Sequence, residues 1–361
     1  MNKRWDLFCR VVDNFGDIGV CWRLAKQLHQ EYALDVRLWV DDLAVAANII
    51  QGLDANLTRQ QALGIEICLW GKDASFLDVT PANVVIEAFA CELPSSYIQH
   101  MTANKPTWLN LEYLSAENWV EGFHAQSSVH AATGLRKTFF FPGFTDKTGG
   151  LIREQSLIKV REAAKAKMTV LPSLQVSLFC YPHAPIHSLL KAMAEGAEPV
   201  ECFVPKGSYL EKVAAFFGTD QIEVGDILQK GQLKIIVLPF LSQDEYDQLL
   251  WCCNLNFVRG EDSWIRALWS ENPFIWQTYP QDEKLHLKKL DAFLRTYEVD
   301  ASDILHAFHH AWLDGEITPG LWNKLTQDLP RLQSHAASQT QKFEQQADLA
   351  AKLVIFTKHQ V

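Results

Sequence analysis

The amino-acid sequence predicts an α/β fold with two Rossmann-like domains that face a common cleft. Three observations lead to this prediction. The chain has 361 residues, which is long for one core when domains average about 150 residues. Strand-like and helix-like segments alternate along most of it, a pattern typical of parallel sheets covered by helices. The alternation loosens at residues 139–144 and ends near residue 150, where we expect the domain boundary.

The first predicted domain covers residues 1–150. Its strands are expected at residues 5–12, 35–40, 65–70, 83–90 and 107–114. A helix is expected from Val20 to about Tyr32, because Val20, Leu24 and Leu28 are spaced four apart and form one apolar face. Shorter helices are expected at residues 43–50 and 95–102.

The second predicted domain covers residues 151–335. Its strands are expected at residues 174–181, 200–204, 233–240, 255–258 and 273–278, with helices at 185–195, 208–217, 242–253 and 261–270. Ser242 and Glu245 have capping-box spacing, which predicts a helix start at residue 242. The rest of the chain is expected to be mostly helical, and its last helix, about 336–361, is expected to pack back on the first domain.

Composition excludes several classes of protein. The formal net charge of −10 argues against non-specific binding to nucleic acid or to an anionic membrane. The eight cysteines contain no C-x-x-C pair and no zinc-ligand spacing, so they are expected to be reduced core residues. Neither a signal-like segment nor an apolar run of about 18 residues is present. We therefore expect a cytoplasmic protein without a membrane or nucleic-acid partner.

The loop after the first predicted strand carries two acids, Asp13 and Asp17, and two glycines, Gly16 and Gly19. The glycines allow a sharp turn and a close approach to a ligand. The spacing fits neither the dinucleotide fingerprint nor a Walker loop. Because two carboxylates would repel a phosphate, the loop is expected to bind a cation or sugar hydroxyls. The alternative is that Asp13 ends the strand and Asp17 caps the helix.

A second loop of this kind begins at Arg259, directly after a predicted strand of the second domain. A diphosphate could be held there by the amides of the helix start, the Ser263 hydroxyl and the Arg259 guanidinium. Glu261 and Asp262 would oppose a phosphate unless they face sugar hydroxyls. Ordinary helix capping by these acids remains the alternative.

Four motifs together resemble a known family. They are D-N-F-G-D-I-G-V at residues 13–20, L-F-C-Y at 178–181, L-P-F-L-S-Q at 238–243 and F-V-R-G-E-D-S at 257–263. In order and separation they resemble the protein-arginine rhamnosyltransferases that modify bacterial elongation factor P. The resemblance implies an inverting glycosyltransferase of GT-B architecture. It implies dTDP-β-L-rhamnose as donor substrate, elongation factor P as acceptor and no further cofactor.

The resemblance also implies roles for individual residues. Asp17 would be the general base, with Asp13 and Glu261 as supporting acids. The residues implied to hold the nucleotide sugar are Asn14, Phe15, Gly16, Phe179, Tyr181, Phe240, Gln243, Arg259, Gly260, Asp262 and Ser263. Core packing is the alternative for Phe240.

Acids suit this chemistry, because an arginine guanidinium stays protonated, with a pKa above about 12. A carboxylate can orient the guanidinium and take its proton as the new bond forms. No metal is expected, since Asp41 and Asp42 lack Asp-x-Asp spacing and Arg259 can stabilise the leaving diphosphate. A nucleotide-sugar epimerase or a small-molecule glycosyltransferase of the same fold would explain the cleft but not the Asp13 and Asp17 pair. A non-catalytic sugar-nucleotide binding module would need only the second loop.

Three histidines, at positions 306, 309 and 310, fall on one predicted helix of the C-terminal region. They are expected to be surface residues. His183 and His187 are also four apart, but Pro182 and Pro185 disfavour a helical pair of metal ligands there.

Overall fold

The computed structural model describes residues 4–13, 15–71, 74–169, 171–281, 285–297 and 303–359. The chain divides into two compact units. Unit 1 comprises Met1–Gln155 with Gln346–Val361, and unit 2 comprises Ser156–Gln345.

Unit 1 is built on an eight-stranded sheet with the strand order β3-β4-β2-β1-β5-β6-β8-β7. Its strands are β1 Arg4–Cys9, β2 Asp35–Val40, β3 Arg59–Ala62, β4 Ile65–Leu69, β5 Val84–Ala88, β6 Thr107–Leu111, β7 Ser127–Val129 and β8 Arg136–Phe140. Its first helices are α1 Gly16–Tyr32, α2 Leu43–Ile49, α3 Ser95–Asn104 and α4 Val120–Phe123. All neighbouring strands pair in parallel except β3 with β4 and β7 with β8.

The two antiparallel edge strands, together with β8, were not predicted from the sequence. The edge strand β7 is exposed throughout and β3 alternates exposed with half-buried residues, so neither carries an apolar pattern. Their presence follows from pairing with β8 and β4. The parallel strands between them follow the predicted alternation of strand and helix.

Aromatic side chains fill much of the core of unit 1. The Phe8 ring stacks on Trp39 with ring centroids 5.4 Å apart, and Trp70 and Tyr97 meet it edge-on at 5.5 and 4.7 Å. Phe76 closes the group against Trp39 and Tyr97. This packing anchors β1, whose carboxyl end leads into the loop with the two acids.

Unit 2 is built on a six-stranded sheet with the strand order β11-β12-β10-β9-β13-β14. Its strands are β9 Leu174–Leu178, β10 Val200–Pro205, β11 Ile227–Lys230, β12 Leu233–Leu238, β13 Leu255–Arg259 and β14 Phe274–Gln277. Its helices are α5 Leu157–Lys165, α6 Ile186–Ala194, α7 Leu210–Phe217, α8 Gln243–Cys252, α9 Asp262–Trp269, α10 Leu285–Tyr297, α11 Asp303–Asp314 and α12 Pro319–Glu344. Only β11 pairs antiparallel among the paired strands described.

The predicted capping box at the start of α8 is confirmed. The Ser242 backbone N–H donates to the Glu245 carboxylate at 2.8 Å, and the Glu245 N–H donates to the Ser242 hydroxyl at 3.3 Å. Both ends of the box are therefore made, and α8 begins at Gln243.

The chain passes between the units slightly later than the boundaries predicted at residues 150 and 335. Residues just beyond 150 are bound to α1, since Gln27 donates its side-chain N–H to the Arg153 carbonyl and the Gln155 N–H donates to Glu31, both at 2.7 Å. Helix α12 continues unbroken to Glu344, and the helix that belongs to unit 1 is α13, Leu349–Lys358. Asp348 caps α13 and also accepts a hydrogen bond from Gln27 at 3.1 Å.

The cysteines are largely as expected. The eight lie within the described residues, none is in a disulfide, and seven are buried, while Cys252 is exposed. None of the helices in the described part of the chain combines the length and the apolar character that a membrane span needs.

Candidate functional site

In unit 1 the loop between β1 and α1 holds both predicted acids. Phe15 is the N-cap residue of α1 and makes no side-chain cap hydrogen bond, and Asp17 is the second residue of the helix. Asp17 is therefore not a cap, and the capping alternative for Asp17 is wrong. The turn is closed by the Gly16 N–H, which donates to the Asp13 carbonyl at 2.7 Å. Asn14 lies outside the described residues.

The Asp17 carboxylate is buried, with 2% of the residue exposed. One of its oxygens accepts hydrogen bonds from the backbone N–H groups of Val12 and Asp13, each at 2.8 Å. Its other oxygen accepts the Tyr113 hydroxyl at 3.1 Å. One oxygen thus holds the loop in place, and the other faces a tyrosine that is itself 38% exposed.

Asp13 is half-buried and lies over Gly16. A Cβ atom at residue 16 would come within 2.8 Å of an Asp13 carboxylate oxygen, closer than ordinary Cβ contacts. A larger residue at position 16 would therefore displace the Asp13 side chain from its present position.

Two aromatic residues that sequence reasoning missed complete this cluster. The Phe89 ring stacks on Tyr113 with ring centroids 4.3 Å apart and planes at 12°. Phe89 and Ala90 both adopt left-handed backbone conformations, with φ of 56° and 51°, which costs of order 1 kcal/mol or more per residue and is common near functional sites. The cluster forms because β1, β5 and β6 are neighbours in the sheet and end at the same edge. Carboxylates beside aromatic faces can bind a guanidinium by charge, hydrogen bonds and stacking.

In unit 2 the Arg259 guanidinium lies between two predicted site residues. Its central carbon is 4.5 Å from the Phe179 ring centroid and 4.6 Å from the Tyr181 ring centroid. It also donates a hydrogen bond to the Cys180 carbonyl at 3.3 Å. The neighbouring strands β9 and β13 bring these residues together at their carboxyl ends. The arginine is therefore held in a defined orientation.

The loop after Arg259 is fixed mainly by backbone contacts. Gly260 has a φ of 62°, its N–H donates to the Gln277 carbonyl at 3.1 Å, and its carbonyl accepts the Trp276 indole N–H at 2.7 Å. The Ser263 hydroxyl accepts the Arg259 N–H at 3.0 Å and donates to the Arg259 carbonyl. Ser263 is 6% exposed, so in this structure its hydroxyl holds the loop.

The two acids of this loop differ at the start of α9. Glu261 occupies the residue before the helix without a side-chain cap, and Asp262 is the first helical residue. Both are half-buried. The capping alternative is thus wrong for Glu261, but it stays open for Asp262, which lies in the first turn, where the helix dipole favours an acid.

Gln277 is a further residue that the sequence did not single out. It is fully buried at the end of β14, and its side-chain oxygen accepts the Tyr181 N–H at 2.7 Å. Its side-chain nitrogen lies 3.1 Å from a ring nitrogen of His183. Gln277 therefore connects the loops that follow β9 and β13. In the sequence, only its place at the end of a predicted strand could have identified Gln277 as a site residue.

Phe240 and Gln243 lie at the carboxyl end of β12, on the same edge of the sheet. Phe240 is half-buried, and Gln243 is the first residue of α8 and is buried. Strand β10 separates β12 from β9 in the sheet, so these two residues share the edge with the Arg259 group but lie two strands away from β9.

Cationic side chains lie around the loop that follows β9. Burial raises the pKa of the Cys180 thiol to about 12, while the charges of Arg259 and Lys212 oppose that rise. Burial lowers the pKa of the His183 imidazole, and Lys212, His286 and Arg259 lower it further. Lys212, which the sequence did not indicate, therefore adds to the positive electrostatic potential that Arg259 produces. Such a region favours an anion.

The chain was compared with known proteins. The family model described as "Elongation-Factor P (EF-P) rhamnosyltransferase EarP" matches residues 5–358. The protein-arginine rhamnosyltransferase of Pseudomonas putida is 45% identical over 99% of this chain and 100% of its own length.

Among solved structures, the chain is also similar to a protein of the EarP family. The structure reported under "Structural basis for EarP-mediated arginine glycosylation of translation elongation factor EF-P" matches with a TM-score of 0.69 and 33% identity over 100% of both chains. The glycosyltransferase SnogD from Streptomyces nogalater is 12% identical, with a TM-score of 0.53 over 99% of this chain and 100% of that one. That likeness shows the fold alone, and the predicted class of two Rossmann-like domains of GT-B type is confirmed. The chain belongs to the EarP family of elongation factor P rhamnosyltransferases.

Proposed function

We propose that this protein transfers L-rhamnose from dTDP-β-L-rhamnose to one arginine side chain of translation elongation factor P, with inversion at the anomeric carbon. Family membership supports a protein-arginine rhamnosyltransferase activity. The observation that carries the proposal is the turn that holds Asp13 and Asp17 beside the stacked Phe89 and Tyr113, because this combination suits a guanidinium.

The acceptor step follows from the partners of Asp17. One carboxylate oxygen is occupied by two backbone N–H groups, so the turn keeps its shape during the reaction. The other oxygen accepts a hydrogen bond from the Tyr113 hydroxyl, and an arginine N–H can replace that hydroxyl. The carboxylate then orients one guanidinium nitrogen and accepts its proton as the bond to the sugar forms. Asp13 adds a second negative charge for the substrate cation.

The donor step relies on unit 2. Arg259, held between Phe179 and Tyr181, and the amides at the start of α9 would stabilise the negative charge on the leaving dTDP. Lys212 would add to this field. Phe240 can stack on the thymine base, a contact worth roughly 1 to 3 kcal/mol, and the Gln243 amide can pair with the polar edge of the base.

The direct test is mass spectrometry of purified elongation factor P after incubation with this protein and dTDP-β-L-rhamnose. The expected result is a mass increase of one deoxyhexose on a single arginine, absent when that arginine is replaced by lysine. The anomeric coupling of the product, measured by NMR, checks inversion. An unmodified acceptor would refute the proposal, and donor turnover without acceptor would support the epimerase alternative.

Transfer is proposed to need no metal, since Arg259 and backbone amides supply the positive charge. Activity should persist in excess EDTA and should not rise when magnesium is restored. Arg259→Lys should reduce turnover, because an ammonium cannot make the planar contacts of a guanidinium. Activity that depends on magnesium, or an Arg259→Lys variant as active as the parent protein, would refute this part.

A further inference from the structure

Two helices of unit 2 bring together Asp291, His306 and His310. One carboxylate oxygen and one nitrogen from each histidine all lie within 4.8 Å of one another. His306 and His310 are one turn apart on α11, with ring centroids 4.5 Å apart. Asp291 on α10 lies 3.0 Å from the His310 Nε2 atom. None of these residues takes part in the site described above.

The third histidine of this helix behaves differently, and the prediction of a surface position was wrong for it. His309 is fully buried, and its Nδ1 atom contacts the Leu305 carbonyl at 2.9 Å. Burial lowers its pKa to about 4. His306 and His310 therefore form a separate pair on the side of α11 that faces α10.

We propose that Asp291, His306 and His310 bind one divalent cation of the Zn²⁺ class. Two imidazoles and one carboxylate form a donor set that such ions prefer. Zinc bonds of about 2.0 to 2.2 Å place tetrahedral ligand atoms about 3.3 Å apart. The Asp291 and His310 atoms are already at 3.0 Å, and rotation of the exposed His306 side chain closes the third distance.

An ion pair between Asp291 and His310 explains only part of this arrangement, whereas a bound cation explains all of it. A bond between Asp291 and His310 uses one imidazole and leaves the reason for a second imidazole, 4.5 Å away, unexplained. One cation uses both imidazoles and the carboxylate. The facing Asp291 Oδ1 and His310 Nε2 atoms are shielded from solvent, while exposed His306 leaves a side open for the ion and for water as a fourth ligand.

The ion would link α10 to α11. Helix α11 packs Phe308 and Trp312 against Phe257 of β13, and α10 packs Phe293 against Trp264 of α9. The site therefore joins two helices that cover the sheet carrying Arg259. Its effect is on stability, and the inference does not depend on the proposed function.

The test is a titration of chelator-treated full-length protein with Zn²⁺ alone, followed by competition with a coloured chelator. We expect one Zn²⁺ per chain and a melting temperature that rises with Zn²⁺ concentration. With Co²⁺ in place of Zn²⁺, the visible absorption bands of a tetrahedral complex should appear.

Variants separate a three-ligand site from adventitious binding. His310→Gln and Asp291→Asn should each weaken Zn²⁺ binding by more than about tenfold. His187→Gln, which changes an exposed histidine on α6, is the matched control and should bind as the parent does. If His310→Gln fails to fold, the exposed His306→Gln tests the same ligand set. No stoichiometric binding, or unchanged affinity in Asp291→Asn, would overturn the proposal.

Discussion

Replacing Asp17 by asparagine should stop transfer while leaving the fold and the donor affinity almost unchanged. The asparagine carbonyl can still accept the two N–H groups, of Val12 and Asp13, that the carboxylate now accepts at 2.8 Å. Its amide N–H₂ would face the Tyr113 oxygen, which can accept a hydrogen bond. The variant therefore keeps the turn and loses only the charge and the basic oxygen.

Asp17→Asn should lose only part of the stability that these two bonds supply. Hydrogen bonds to a charged group contribute about 1.5 to 3 kcal/mol, against about 1 kcal/mol for neutral ones. The difference is about 0.5 to 2 kcal/mol for each bond, so the free energy of unfolding should fall by about 1 to 4 kcal/mol for the two. Loss of a general base should reduce the turnover number by about 10² to 10⁴.

Asp17→Ala is the matched control for a structural role. It leaves the Val12 and Asp13 N–H groups without their acceptor, so both hydrogen bonds to the charged group are lost, at about 1.5 to 3 kcal/mol each. The free energy of unfolding should therefore fall by about 3 to 6 kcal/mol. Both variants should lose activity, and Asp17→Ala should lose more stability than Asp17→Asn.

Three measurements decide between these roles. Transfer is followed by mass spectrometry, dTDP affinity by calorimetry and the free energy of unfolding by denaturant titration. Full activity in Asp17→Asn would show that Asp17 only holds the loop. A parallel loss of dTDP affinity and activity would instead assign Asp17 to the donor.

Three further predictions concern unit 2. Ser263→Ala should weaken dTDP binding by up to about 1 to 3 kcal/mol in calorimetry, because the loop loses two neutral contacts between the hydroxyl and the Arg259 backbone, at about 0.5 to 1.5 kcal/mol each. Unchanged affinity would show that the loop keeps its shape without the hydroxyl. Gln277→Ala should lower the free energy of unfolding by about 1 to 3 kcal/mol, because the buried Tyr181 N–H loses its acceptor; a denaturant titration equal to that of the parent would contradict this. The folded protein keeps His309 neutral down to a pKa of about 4, whereas an unfolded histidine takes up a proton below about pH 6.5. This contribution to the free energy of unfolding should therefore be complete above pH 6.5 and should fall by up to roughly 3 kcal/mol towards pH 4. His309→Gln should remove this part of the pH dependence. An unaltered dependence of the free energy of unfolding on pH would contradict the role given to His309.

Local patterns in the sequence account for much of the fold. The alternation of apolar strands and amphipathic helices predicts the parallel strands of both sheets, and the Ser242 and Glu245 spacing predicts the start of α8. The acid and glycine turn at residues 13–19 is also visible without a structure. These features depend on residues within a few positions of one another, so periodicity and capping preferences suffice to identify them.

Local patterns did not predict the edge strands of the first sheet or the point at which the chain returns to unit 1. Strands β3 and β7 are short and largely polar and exist because β4 and β8 offer free edges. The return of the chain to unit 1 at residue 346 depends on contacts that Gln27 makes with residues after 150 and with Asp348. No local pattern carries such information.

The partners of the site residues belong wholly to the tertiary structure. Asp17 meets Tyr113, and Tyr181 meets Gln277, across 96 residues of chain in each case. The sequence indicates that an acid lies in a turn, but burial and the choice of hydrogen-bond donor decide whether that acid supports the loop or faces a substrate. The burial of the acid and its hydrogen-bond donors depend on the order of strands in the sheet, because neighbouring parallel strands bring distant loops to one edge. For the same reason His309 is buried and His306 exposed, although both lie on one helix whose packing partners are distant in sequence.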